Sequence, residues 1–160
     1  MSDILIVDDE VEMRIAMSET LKHCGYPVEL SHNAIDALKK FKENDYSLVI
    51  TDMTMPKRSG LELLKDIKSL DPGKPVIMAT AYATVATAVE AMKHGAFDYI
   101  TKPIVDFEQD LLLVVRAAVQ ARRDKCLASQ DPTASAPTRL ALLSFYKALE
   151  ELSWLRGAPE

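Results

Sequence analysis

Asp8, Asp9, Asp52, Thr80 and Lys102 are the residues of this sequence best placed to do chemistry. Each sits at or just past the end of an apolar, β-prone run: Asp3-Ile-Leu-Ile-Val7, Leu48-Val-Ile-Thr51, Pro75-Val-Ile-Met-Ala79 and Phe97-Asp-Tyr-Ile-Thr101. If those runs are parallel strands of one sheet, their polar ends share a rim, where open α/β sheets place ligands. Three carboxylates so gathered repel one another, by about 4 kcal/mol per pair at 4 Å and an effective dielectric near 20. A hard divalent cation relieves that repulsion, and all-oxygen ligation suits Mg²⁺. A carboxylate beside such an ion can attack phosphorus and form an aspartyl phosphate. Mg²⁺ and Lys102 would neutralise the phosphoryl oxygens, and the Thr80 hydroxyl would hydrogen-bond one of them. No histidine, cysteine or activated serine competes as nucleophile, so metal, lysine and hydroxyl around one aspartate make an expected phosphoacceptor site.

Plainer readings exist for each residue. Asp8 and Asp9 would also cap the helix that follows them and meet its positive end. Asp52 and Lys102 turn the balance towards a metal site. Thr80 alone is a strand-end hydroxyl, and Tyr99 alone a half-buried aromatic on an edge strand. His23, His32 and His94 fall on helix or loop surface without metal-ligand spacing, and Met53 and Met55 read as loop packing.

The elements that must position these groups alternate. After the first strand, Val11, Ile15, Met17, Leu21 and Cys24 recur at helical spacing, and Gly25 stops the helix. Pro27 to Ser31 is a second, edge strand, since proline is tolerated at an edge. Asn33 caps a helix with Ile35, Leu38 and Phe41 as its buried stripe, and the Asp52 strand follows. Leu61, Leu64, Ile67 and Leu70 build a third helix, Asp71-Pro-Gly-Lys74 a turn, and Thr84 to His94 a fourth helix closed by Gly95. A fifth helix opens at Val105 or Asp106 and runs through Arg123. Five strands alternating with five helices imply an α/β, doubly wound, five-stranded parallel sheet of flavodoxin-like order 2-1-3-4-5.

This pattern occupies residues 1–125. Residues 126–137 are Ser/Ala/Pro-rich and read as a linker. Residues 138–160 form a C-terminal tail with one amphipathic helix, its apolar arc being Leu142, Phe145, Tyr146, Leu149 and Leu152.

Composition narrows the function. The chain has 160 residues and a net charge of -5, which argues against direct DNA binding by this chain, since a nucleic-acid surface is normally basic. No apolar run approaches the roughly 20 residues a membrane span requires, and no signal-peptide pattern opens the chain. Two isolated cysteines, Cys24 and Cys126, read as reduced thiols of a cytoplasmic protein. There is no G-x-G-x-x-G or Walker loop to cradle a nucleotide. A haloacid-type phosphatase would need a second acid two residues beyond its nucleophile, and Asp52-Met-Thr54 lacks it.

The strings Ile6-Val-Asp-Asp-Glu10, Thr51-Asp-Met-Thr-Met-Pro56, Ala79-Thr-Ala-Tyr82 and Gly95-Ala-Phe-Asp-Tyr-Ile-Thr-Lys-Pro103 resemble the receiver domain of two-component response regulators, the CheY-like fold. The stretch from Thr87 to Tyr99 is similar above all to the nitrogen-regulator class of enhancer-binding activators. The resemblance covers residues 3 to about 124. It implies phosphorylation of Asp52 by a sensor histidine kinase, with Mg²⁺ held directly by Asp9, through water by Asp8, and by Asp52 and the backbone carbonyl of Thr54. It further implies a Lys102–phosphoryl pair, a cis bond between Lys102 and Pro103, a switch pair of Thr80 and Tyr99, and tuning of phosphate lifetime by Thr54 and Tyr82.

The chain would then be no enzyme beyond catalysing its own phosphorylation and dephosphorylation. Its output face would be the fourth helix, fifth strand and fifth helix, controlling a homodimer or a partner. The outer positions of the fourth helix would be Ala83, Thr87, Ala91 and His94. Leu112, Val115, Val119, Arg122 and Cys126 fit either a two-helix seam or plain packing on the sheet. The chain reads as a stand-alone receiver with a tail helix or a piece of a longer regulator. The competing functions are a phosphorylation-independent interaction module and a Mg²⁺-dependent phosphatase.

Overall fold

Five parallel strands carry the architecture: β1 (Asp3–Val7), β2 (Val28–Ser31), β3 (Tyr46–Asp52), β4 (Val76–Thr80) and β5 (Asp98–Thr101). They pair in the order β2-β1-β3-β4-β5, as the sequence pattern requires. This computed structural model describes residues 3–128 apart from Tyr82, Pro103 and Val105. Residues 126–128, expected to open the linker, are helical; the expected cis bond at Pro103, the role of Tyr82, the remainder of the 126–137 linker and the tail helix lie outside the described residues.

Side chains alternate between the two faces of each strand. Leu5, Val7, Val49, Val76 and Met78 face one core layer, and Ile4, Ile6, Leu48, Ile50, Ile77 and Ile100 face the other. The first layer is covered by α2 (Ala34–Glu43), α3 (Gly60–Leu70) and α4 (Val85–Lys93). The second is covered by α1 (Val11–His23) and by α5 (Leu113–Ala128), which continues from a π-helical turn, Phe107–Leu112. Both faces of the sheet are therefore dry, and the strands need no polar alternation.

The helix ends follow local chemistry. Asn33 accepts a hydrogen bond from the Asp36 amide at 2.7 Å, Ser59 caps α3 through the Glu62 amide at 3.2 Å, and Thr84 caps α4. Gly25 and Gly95 close α1 and α4 at φ values of 89° and 95°, where a side chain would be strained.

Several helix faces differ from expectation. Val11 and Ile15 are exposed, and α1 packs instead through Met17, Ser18 and Leu21. Cys24 is exposed as well. On α2 Ile35 is exposed, and Ala34, Ala37 and Phe41 make the contact; on α3 Leu70 is exposed and Leu63 replaces it. Ala91, expected on the outer side of α4, is fully buried with Ala88 and Met92. On α2 and α4 the reason is that small residues let a helix approach the sheet closely, so an alanine face can displace a larger apolar arc. On α5 the sheet-packing reading holds: Leu112, Val115 and Ala118 are buried, and Arg122 reaches Asp71 at 3.7 Å.

Candidate functional site

The C-terminal ends of β1, β3 and β4 and the residue after β5 deliver four groups to one rim. Asp8 follows β1, Asp52 closes β3, Thr80 closes β4, and the Lys102 amide continues the ladder by donating to the Thr80 carbonyl at 2.8 Å. All four side chains are buried, Asp8 completely. Lys102 Nζ lies 2.7 Å from Asp8 Oδ2 and 3.2 Å from Asp52 Oδ2, so one amine bridges two carboxylates. The Thr54 amide donates to Asp52 Oδ1 at 3.2 Å.

The main chain at this rim is pinned. The Asp8 amide donates to the Ser31 carbonyl at 3.2 Å, and Arg14 Nη1 donates to the Asp8 carbonyl at 2.7 Å. Asp8 Oδ1 accepts from the Glu10 amide at 2.9 Å, which fixes the turn before α1, but Glu10 is the N-cap residue and no side chain caps the helix, so the expected capping by Asp8 and Asp9 is not found. Beneath Asp52, the first residue of α3 is Gly60, where a Cβ would stand 1.9 Å from the Asp52 carbonyl oxygen. Only glycine allows α3 to begin there.

Two carboxylates and one amine leave a net negative charge in a low-dielectric setting. Burial pushes the Asp52 pKa up to about 6, against the opposing pull of Lys102 and with a further push from Asp8. Burial also works against the charged Lys102 amine, but hydrogen bonds and charge from Asp8 and Asp52 outweigh it and raise its pKa. The site is thus electrostatically incomplete: it holds one negative charge more than its own cation balances.

Asp8, Glu10 and Asp52 present carboxylate oxygens within 4.8 Å of one another, a purely oxygen donor set fitting a hard cation such as Mg²⁺. Glu10 was not expected in this group. As the acid at the start of α1, it reads from sequence as a surface residue. Asp9, expected among the metal ligands, is exposed and stands outside that set. Thr54 is exposed, and it meets Asp52 through its amide.

Tyr99 lies on β5 opposite Met78 of β4, packed against the core layer covered by α4. Its hydroxyl is 2.9 Å from Thr87 Oγ1, at the start of α4. Thr80 lies two pairing steps further along β4, on the same side of the sheet. Neither Thr87 nor Gly60 carries a motif that sequence reading could single out for such contacts.

Comparison with known proteins agrees with this geometry. The family profile described as "Response regulator receiver domain" matches residues 4–116. The transcriptional regulatory protein ZraR of Klebsiella oxytoca is 39% identical over 132 residues, covering 82% of this chain and 30% of ZraR. The DNA-binding transcriptional regulator NtrC of Rhizobium meliloti is 30% identical over 152 residues, covering 93% of this chain and 31% of that protein. A crystal structure of the response regulator TrrA of Thermotoga maritima, in complex with Mg²⁺ and BeF, superposes with a TM-score of 0.67. It is 34% identical, covering 74% of this chain and 99% of TrrA. The chain thus spans about a third or less of the length of these curated relatives.

Proposed function

The chain belongs to the family of response regulator receiver domains, of the nitrogen-regulator class, and from that premise we propose that Asp52 accepts a phosphoryl group from the phosphohistidine of a sensor histidine kinase. An Asp52 carboxylate oxygen forms a bond to phosphorus as the phosphorus–nitrogen bond to the imidazole breaks, and the released nitrogen takes up a proton. The observation that carries this reading is the bridging of Asp8 and Asp52 by Lys102 at the sheet rim.

Each group has a definite task. Asp52 attacks as the anion, so the reaction slows as pH falls through its folded-state pKa. Lys102, already at 3.2 Å, neutralises charge that grows on the phosphoryl oxygens. Thr80 donates its hydroxyl to one of those oxygens. Asp8 holds Lys102 in place and, with Glu10, Asp52 and the expected Asp9 and Thr54 carbonyl, would hold Mg²⁺. When bound, Mg²⁺ supplies the charge neutralisation that the protein's single amine leaves unfinished. The TrrA complex with Mg²⁺ supports that cofactor.

Phosphorylation adds a charge of about -1.5 to -2 and three acceptor oxygens. Thr80 and Tyr99 would relay that change to the face of α4, β5 and α5, where a homodimer or another partner forms. The chain turns over no external substrate in this reading.

Intact-mass analysis after treatment with acetyl phosphate and Mg²⁺ tests the proposal. One added phosphoryl group is expected in the parent and none in Asp52→Asn. No adduct in the parent, or an undiminished adduct in Asp52→Asn, would overturn it.

A further inference from the structure

We propose that Thr87 is a positioning residue for the Tyr99 switch, its hydroxyl latching the Tyr99 ring to the start of α4 and so weighting the unphosphorylated chain towards rest. The proposal rests on the receiver reading above and adds a regulatory residue to it.

Thr87 sits three positions beyond the Thr84 cap of α4. The two residues form a reciprocal capping pair: Thr84 Oγ1 accepts from the Thr87 amide, and Thr87 Oγ1 accepts from the Thr84 amide, both at 3.1 Å. A glutamate or glutamine usually plays the second part. Here a shorter threonine does, and its hydroxyl stays close to the helix barrel, within 2.9 Å of Tyr99 Oη. One oxygen therefore joins the end of a helix to the tip of a side chain on the neighbouring edge strand.

The number of hydrogen-bonding positions decides how strong the latch is. Thr87 Oγ1 has the Thr84 amide at 3.1 Å, the Thr84 carbonyl and Thr84 Oγ1 at 3.0 Å, and Tyr99 Oη at 2.9 Å. A hydroxyl offers one donor and two acceptor positions, so four neighbours compete for three. When Tyr99 turns away, Thr84 can fill the vacated position and the helix cap stays whole. Tyr99 Oη also meets the Thr84 backbone, so release costs the tyrosine both contacts while Thr84 and Thr87 still cap α4. That is what a reversible catch requires: strong enough to bias the ring, weak enough for one phosphoryl group to overcome.

A single net hydrogen bond of this kind corresponds to about a fivefold bias in a two-state equilibrium. Thr87→Val keeps the branched shape and removes the hydroxyl; Thr87→Ser restores it. In protein with isotope-labelled tyrosine and no phosphodonor, the Tyr99 ring signal of Thr87→Val is expected to move towards the position that the parent reaches with Mg²⁺ and beryllofluoride. Thr87→Ser is expected to return it. Phosphorylation by acetyl phosphate should be about fivefold faster in Thr87→Val, and Tyr99→Phe removes the same bond, together with the Thr84 backbone contact, while leaving both capping threonines in place. The double variant should be no faster than Tyr99→Phe alone, because the bond that Thr87→Val removes is already gone there. A ring signal unmoved by valine, an equal shift with serine, or multiplying rates in the double variant would each overturn the latch. Failure of the receiver reading shows separately, as a parent chain gaining no phosphoryl mass; the ring signal without phosphodonor still decides the latch.

Discussion

Replacing Asp52 by asparagine should make the ion-free protein more stable, although Asp52 pairs with Lys102 at 3.2 Å. The carboxyl group is almost wholly buried, and its pKa stands at about 6, against 3.8 for the ordinary group it resembles when unfolded. That raised value already includes the attraction of Lys102. The direction then fixes the sign. Because the folded-state pKa is raised, the folded chain holds a proton between about pH 4 and 6 that the unfolded chain has lost. The stability linked to that proton is complete below pH 3.8 and disappears as pH rises through about 6. At pH 7 the ionised carboxylate costs the fold about 2 to 3 kcal/mol relative to a neutral side chain of the same shape. At pH 4 the difference shrinks to about half a kcal/mol. Asparagine is that neutral side chain, and Lys102 keeps Asp8 at 2.7 Å in either case. Urea unfolding of parent and variant in a chelating buffer, at pH 4 and pH 7, reads the gap directly. Mg²⁺ should then narrow the pH 7 gap by stabilising the parent alone, through mass action. A variant less stable than its parent at pH 7, or a gap that ignores pH, would refute the electrostatic account of the site.

Two further substitutions separate charge from packing. Lys102→Met leaves Asp8 and Asp52 buried without their shared cation, at a cost of about 3 to 5 kcal/mol near neutral pH. Without the pull of Lys102 the Asp52 pKa should rise further above about 6, and a potentiometric titration or a pH series of unfolding curves checks both outcomes. Gly60→Ala forces the start of α3 away from the Asp52 carbonyl, since the added carbon would stand 1.9 Å from it. A loss of about 1 to 3 kcal/mol is expected, together with slower uptake of phosphoryl from acetyl phosphate, measured by intact mass over time.

The sheet was legible because its strands are buried on both sides. Runs such as Ile4 to Val7 and Leu48 to Ile50 admit few other readings, and the residues that end them necessarily share a rim. That is why Asp8, Asp52, Thr80 and Lys102 could be assembled from spacing alone. Helix faces were harder. Periodicity locates an apolar arc but cannot say which arc meets the sheet, and Ala34, Ala37, Ala88 and Ala91 pack closer than Ile35 or Val11 could. Contacts without periodicity were invisible. Glu10 joins the acidic group from a helix start, and Thr87 meets Tyr99 through a single hydroxyl. The π-helical turn of Phe107–Leu112 was also missed, since a widened turn carries no compositional mark.

The bridge from Lys102 to Asp8 spans 94 residues of sequence, and that to Asp52 spans 50. A nascent or truncated polypeptide lacking β5 would own the acids without the amine, and would gather uncompensated negative charge where the site should be. The acids and the amine meet only when β5 is paired with β4, so the site belongs to the whole sheet and to no single segment of it.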